Sequence, residues 1–357
     1  MTISRATTLL TLLLLVALPL NAHAWDRGEV QRFATLPAGQ AHPEGLTVDG
    51  DGNVYVTTFD VSKASGPGQL FVFGRNGKLR RQVAVAGSTN LLLDLAFHPT
   101  AGLLIIDFGG KKVLKVNPFT GASTDFITIP PPRGLNAGLN VLTFDDAGNV
   151  YVSDSFNGTI WRTGPTGGVA TDWKSDARLT TTGVPPFGAN GLAFNKARTA
   201  LFVANTGNDT VVKIDVTGGK SSNPVAGAAT VFVNSINGAD GLIIDDDDNI
   251  WVAANQADEI VVIEPTQGRV IAKLGDFNGI GRDGAPIGFL FPASLAFHGD
   301  DLFVTNLSLD LGTALGDPEK RTVDSPWAAQ VTTHTVSRIK ARIPRVKGLS
   351  GDDRHDD

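Results

Sequence analysis

Short apolar runs dominate this chain, and their length limits what they can form. Runs of four to seven residues, such as "GLAF", "ALFVAN", "TVVKID" and "ATVFVN", are bounded by Gly, Asn and Asp turns. They are too short for amphipathic helices and have the length and β-branched content of strands. The runs recur in a fixed order. "EGLTVDGDGNVYVTT" starts at Glu44, "LDLAFHPTAGLLIID" at Leu93 and "NVLTFDDAGNVYVSD" at Asn140. "NGLAFNKARTALFVAN" starts at Asn190, "DGLIIDDDDNIWVAAN" at Asp240 and "ASLAFHGDDLFVTN" at Ala293. The steps between these starts are 49, 47, 50, 50 and 53 residues. A strand-rich period of about 40–50 residues marks propeller blades, and each unit has room for four strands. The expected fold is therefore all-β, a single six-bladed β-propeller. The sixth unit runs out of strands after "HTVSRIKARI" (residues 334–343), whereas "VQRFATL" (residues 30–36) is a spare strand near the chain start. This N-terminal strand is expected to close the last blade, which would remove the open sheet edges.

In a propeller the innermost strand of each blade comes first, so the six repeat starts meet at one end of the central channel. Those positions are Glu44, Leu93, Asn140, Asn190, Asp240 and Ala293. Four are oxygen donors, and none is His or Cys. A lone Asn or Asp at a strand start caps a turn; an oxygen donor in the same slot of four repeats argues for a shared ligand. Two carboxylates and two amides held away from water need a counter-charge. Hard oxygen donors favour calcium, which takes six to eight oxygens at about 2.3–2.6 Å. Zinc's usual nitrogen and sulfur donors are missing. In this reading Glu44, Asn140, Asn190 and Asp240 hold a divalent metal, and Asp240 is also the catalytic general base. Asn140, His42, Leu93 and Ala293 would meet the substrate. Asp245–Asp248 starts five residues beyond Asp240, roughly 16 Å away at about 3.3 Å per residue, and reads as a solvated turn on the far face. Asp107, Asp154, Asn205 and Asn306 end second strands and read as loop braces. The long loops at 175–188, 275–291 and 308–331, the last with Trp327, are where substrate choice would reside.

Composition narrows the setting. Arg5, the 12-residue apolar run at 9–20 and "AHA" at 22–24 form a secretory leader with cleavage near Ala24. The mature protein is expected to be secreted or periplasmic, with no transmembrane segment, one domain over 25–347 and a disordered acidic tail at 348–357. A net charge of −6 gives no electrostatic footprint for nucleic acid. The absence of cysteine excludes disulfides and thiol chemistry. Neither HExxH nor GxSxG occurs.

These motifs resemble the senescence marker protein / gluconolactonase / luciferin-regenerating enzyme family of six-bladed propellers. The likeness is clearest in "PEGL" (43–46), "ANGLAF" (189–194) and "ADGLIIDDDDNIWVA" (239–253). It implies that Glu44, Asn190 and Asp240 hold a catalytic divalent metal and that Asn140 lies near metal and substrate. Paraoxonases, calcium-dependent six-bladed lactonases, use a similar Glu, Asn, Asn, Asp set. The chain departs from the gluconolactonase pattern at Gly138, where an Arg is usual, and at Val141 and Leu142, where Asp-Gly is usual. The reading favoured by residues and resemblance together is a calcium-dependent hydrolase of a small-molecule lactone or related ester. The repeats also look like NHL repeats, as in "DGDGNVYVTT". That likeness implies an alternative, a non-catalytic propeller binding a sugar, peptide or protein partner around a structural metal.

Overall fold

A strand in which every residue is buried must be covered on both faces. Val54–Thr58, Val150–Asp154 and Ile250–Ala254 are of this kind, whereas the outer strand Leu79–Ala84 has no buried residue. The computed structural model, which describes residues 26–63, 66–221 and 223–343, meets this requirement by setting six antiparallel sheets face to face around a channel. The leader at 1–24, the tail at 348–357 and the domain limits at 25 and 347 lie outside these residues.

The inner strands are Pro43–Val48, Leu92–His98, Leu139–Phe144, Ala189–Phe194, Ala239–Ile244 and Pro292–His298. Each packs on the inner strand of the next blade, and the sixth packs back on the first, so the ring is closed. The closing blade draws its outermost strand, Gln31–Thr35, from the start of the chain. That strand pairs antiparallel with Thr335–Lys340. Ala34 and Leu36 pack with Phe71 and Phe73 of the first blade and Phe303 of the sixth. The apolar core is divided into clusters lying between neighbouring blades, such as the one holding Leu70, Leu92, Leu103 and Ile105. A two-residue strand, Gly168–Val169, pairs in parallel with Ser123–Thr128 of the second blade and ties the second blade to the third. The α-helices among the described residues have four residues each, α1 (Leu311–Ala314) and α2 (Ser325–Ala328). No helix there is long and apolar enough to cross a membrane.

The first aspartate of the Asp245–Asp248 run is not merely solvated, contrary to expectation. Its Oδ1 accepts from the Asn249 backbone N–H at 2.9 Å, and its Oδ2 from Asn249 Nδ2 at 3.0 Å and Trp251 Nε1 at 2.8 Å. Asp49 holds Asn53 and Tyr55 in the same way, and Asp145 holds Asn149 and Tyr151. An Asp-x-x-x-Asn-x-Tyr/Trp turn therefore recurs in the first, third and fifth blades. It pins the far-face hairpin to an aromatic ring in the sheet. Asp246 and Asp247 are exposed. Asp245→Ala should lower stability by about 2–3 kcal/mol, because it leaves the Trp251 and Asn249 donors without partners. Asp247→Ala should change stability by less than about 0.5 kcal/mol. Urea unfolding of the two variants measures both.

Candidate functional site

In all six inner strands the pairing with the second strand slips at the same place. Pro43 pairs with Thr58 and Leu46 with Val56, so Glu44 and Gly45 together oppose Thr57. This is a β-bulge, which bends the strand and re-aims a side chain. Without it, the second and fourth residues of each strand would share a face. With it, the fourth residues, Leu46, Leu95, Leu142, Leu192, Leu242 and Leu295, each enter a different core cluster between blades. The second residues of the first five blades line one cavity at the channel end: Glu44, Leu93, Asn140, Asn190 and Asp240. Glycine follows three of the donors, and the packing demands it. A Cβ on Gly45, Gly191 or Gly241 would collide with the carbonyl oxygen of Leu93, Asp240 or Ala293 in the next blade.

Two expected substrate contacts do not line this cavity. Ala293 is fully buried in an apolar cluster with Phe291, Leu307 and Leu309. His42 adopts a left-handed backbone conformation (φ 56°). Its Nδ1 donates to the Leu307 carbonyl at 3.1 Å, and its ring lies edge-on to His334 with centroids 4.7 Å apart. Burial lowers its pKa, so it lies behind the wall as a neutral ring.

The residues missed by sequence reasoning directly follow the second strands of blades three to five: Ser155, Thr206 and Asn255. Thr206 and Asn255 line the cavity, and all three orient its donors. Ser155 Oγ donates to the Ala189 carbonyl at 2.7 Å, and Thr206 Oγ1 to the Ala239 carbonyl at 2.8 Å. Each hydroxyl oxygen then accepts from an amide: Asn140 Nδ2 at 3.1 Å and Asn190 Nδ2 at 3.0 Å. Because a carbonyl can only accept, the hydroxyl protons are committed and the amide nitrogens must face them. The amide oxygens have no hydrogen-bond partner. Asn140 Oδ1, Asn190 Oδ1, Asn255 Oδ1 and Glu44 Oε2 are all buried and unpartnered. Asn255 Nδ2 donates to Asp240 Oδ2 at 2.9 Å. The signal for these three residues was present one position beyond Asp154, Asn205 and Ala254. Asp154 and Asn205 brace loops: Asp154 accepts from the Gly138, Phe156 and Asn157 backbone N–H groups, and Asn205 donates to the Arg178 and Thr180 carbonyls.

Electrostatically the site lacks a positive charge. Burial, with Asp240 and then Asp94 nearby, pushes the Glu44 carboxyl well above its ordinary range. Burial raises Asp240 to about 7, against the hydrogen bonds from Asn255 and Asn190. Among the described residues no three His, Cys, Asp or Glu side chains cluster. The donors are instead two carboxylates and two amide oxygens, a set that suits a hard divalent cation.

The mouth is covered by the segment after the sixth blade's second strand. Leu307, Leu309, Leu311, Ala314 and Leu315 reach the cavity from it, joined by Pro185, Phe187 and Phe291 from the other two long loops. The cavity beneath measures about 50 Å³. Ligand pockets run to about 300–1,000 Å³, so anything larger than an ion and a few waters enters only when this cover moves. A carboxyl pair fastens the cover. Asp258 Oδ1 accepts from the Phe291 backbone N–H at 2.7 Å, and its carboxyl lies near that of Asp324, the residue preceding α2. Burial, followed by the charge of Asp324, raises Asp258 to about 8; burial raises Asp324 to about 6. Both values lie above the ordinary 3.8. The pair's contribution is therefore fully present below about pH 4 and is lost as pH rises through about 6 and then about 8. Asp324→Asn should reduce the fall in Tm between pH 5 and 9 relative to the parent protein at the same calcium concentration. Identical slopes would show that the pair carries no proton.

Comparison with known proteins accords with this geometry. A model of the SMP-30/gluconolactonase/LRE-like region matches residues 95–275, just over half of the chain, which includes Asn140, Asn190 and Asp240. No curated protein matches the sequence. A luciferin-regenerating enzyme structure is 17% identical with a TM-score of 0.63, over 88% of this chain and 95% of that one. Regucalcin, a calcium-binding protein from Agrobacterium tumefaciens, is 16% identical with a TM-score of 0.58, over 88% and 97%. A gluconolactonase from Xanthomonas campestris is 11% identical with a TM-score of 0.57, over 87% and 89%. At these identities the structural likeness is one of fold, and the family match carries the assignment: the chain belongs to the SMP-30/gluconolactonase/LRE-like family.

Proposed function

We propose that this protein is a calcium-dependent hydrolase of a lactone or related ester, exported by its N-terminal leader. One observation carries the reading: three buried oxygens without partners, on Glu44, Asn140 and Asn190, belong to side chains that line one cavity with Asp240. Family membership supports a lactonase-type function. Glu44, Asp240, Asn140 and Asn190 would hold the cation. A bound cation would supply charge neutralisation and Lewis-acid polarisation of the substrate carbonyl. Asp240 takes a proton from the attacking water as general base, and Asn255 fixes its carboxylate through Oδ2. Ser155 and Thr206 prevent the two asparagines from presenting their amide hydrogens to the cation. The apolar cover excludes bulk water once substrate is bound.

The small covered cavity favours a second reading, an NHL-like propeller in which the ion is structural and a sugar, peptide or protein binds the face above it. Calcium at a hundredfold excess over its dissociation constant should stabilise the protein by about 2.7 kcal/mol, and a chelator should reverse this. Asp240→Asn should lower lactone or aryl-ester turnover by about 10²–10⁴-fold. Stabilisation by calcium without turnover of any ester would select the structural-ion reading. Turnover unchanged in Asp240→Asn would remove Asp240 as the base.

A further inference from the structure

The polar groups of the cavity occupy one side of it. Glu44, Asn140, Asn190, Thr206, Asp240 and Asn255 form its floor, and their amide nitrogens and the Thr206 hydroxyl already donate within it. Asn140 donates to Ser155, Asn190 to Thr206, Asn255 to Asp240 and Thr206 to the Ala239 carbonyl. The opposite side has no polar side chain. Phe291, Leu307, Leu309, Leu311 and Leu315 form it. From this wall a run of aromatic rings leads outward. Phe59 and Phe187 line the cavity. Phe59 packs on Phe108 with centroids 5.6 Å apart, Phe108 on Phe156 at 5.7 Å, and Phe156 stacks on Phe187 at 5.8 Å. Phe156 is 50% exposed and Leu315 is 45% exposed. An apolar path therefore joins the polar floor to the surface.

We propose that the substrate carries an aliphatic chain on its lactone or ester group, and that the leucine wall and phenylalanine run seat that chain while the polar floor holds the reacting carbonyl. The inference rests on the hydrolase reading above. A polyhydroxylated ring would press hydroxyls against the leucine wall and leave them without partners, which is costly. An alkyl chain meets only apolar atoms there, and each methylene it buries adds to binding. Among the described residues no Lys, Arg or His lines the cavity, which leaves no side-chain charge to recognise an anionic substituent.

Chain length tests this. In calcium, kcat/KM should rise about two- to fourfold per methylene from γ-butyrolactone through γ-hexalactone to γ-nonalactone, with glucono-δ-lactone below all three. Equal rates along the series, or glucono-δ-lactone turned over as well as γ-nonalactone, would overturn the inference. Phe156→Glu and Leu315→Glu, both at half-exposed positions, should each lower the γ-nonalactone to γ-butyrolactone ratio of kcat/KM about tenfold. Calorimetric binding of non-hydrolysable γ-nonalactam and γ-butyrolactam separates this inference from the hydrolase reading. Tighter binding of the longer lactam, with no lactone turned over, would retain the apolar site and reject the hydrolase. Turnover with equal lactam affinities and equal lactone rates would retain the hydrolase and reject the apolar chain.

Discussion

Two carboxylates buried at one end of the channel, with no cation among the side chains around them, set the terms for the rest of the site. Glu44 belongs to the first blade and Asp240 to the fifth, and only ring closure brings them within electrostatic reach. Each neighbouring feature follows from that juxtaposition. The amides of Asn140 and Asn190 turn their oxygens inward, although this concentrates negative partial charge. Ser155 and Thr206 enforce that orientation by committing their protons to carbonyls of the next blade. Gly45, Gly191 and Gly241 let adjacent strands approach closely enough for the donors to converge. Such an arrangement is costly in an empty protein and stabilising around a divalent ion, which makes it more than a polar channel lining.

The fold was legible because the blade period survives sequence divergence: six repeats with near-equal steps leave few alternatives. The four charged and amide donors were legible because ring symmetry equates one position across repeats. The bulge was not. Two residues opposing one is a property of strand pairing, and nothing in "PEGL" or "ADGL" announces it. Its consequence was that side-chain parity around the site could not be read by counting. Asp154 and Asn205 brace loops as expected, and alternation turns the next residues, Ser155 and Thr206, toward the asparagines of the site. His42 stands beside Glu44 in sequence, but its backbone turns left-handed and its ring is claimed by a carbonyl 265 residues away. Ala293 occupies the ring position of the donors, but it is covered by Phe291 and the leucines of the following segment. That coverage depends on where a long loop settles, which local pattern does not specify.

The cover over the site is held by two unlike means. Leucines press apolar surface onto the floor, a contact that strengthens with the area removed from water. The Asp258–Asp324 pair adds a contact that weakens as these carboxyls ionise, and Asp258 also holds the Phe291 backbone N–H. The cover is thus built from loops mounted on blades whose own cores lie elsewhere. Loops carried by a rigid scaffold can change without endangering it.

The strand Gln31–Thr35 has a consequence for how the molecule is made. Its partner Thr335–Lys340 lies at the other end of the fold, with Gln31 set against Arg338, 307 residues away. Among the described residues, the first strand to leave a ribosome therefore pairs with the last. Until then it remains an unpaired edge of β-forming sequence, and the first blade's Phe71 and Phe73 lack one side of their packing. Contacts of such separation fold slowly and leave aggregation-prone edges exposed in the meantime. The ring cannot lock before its final blade has arrived.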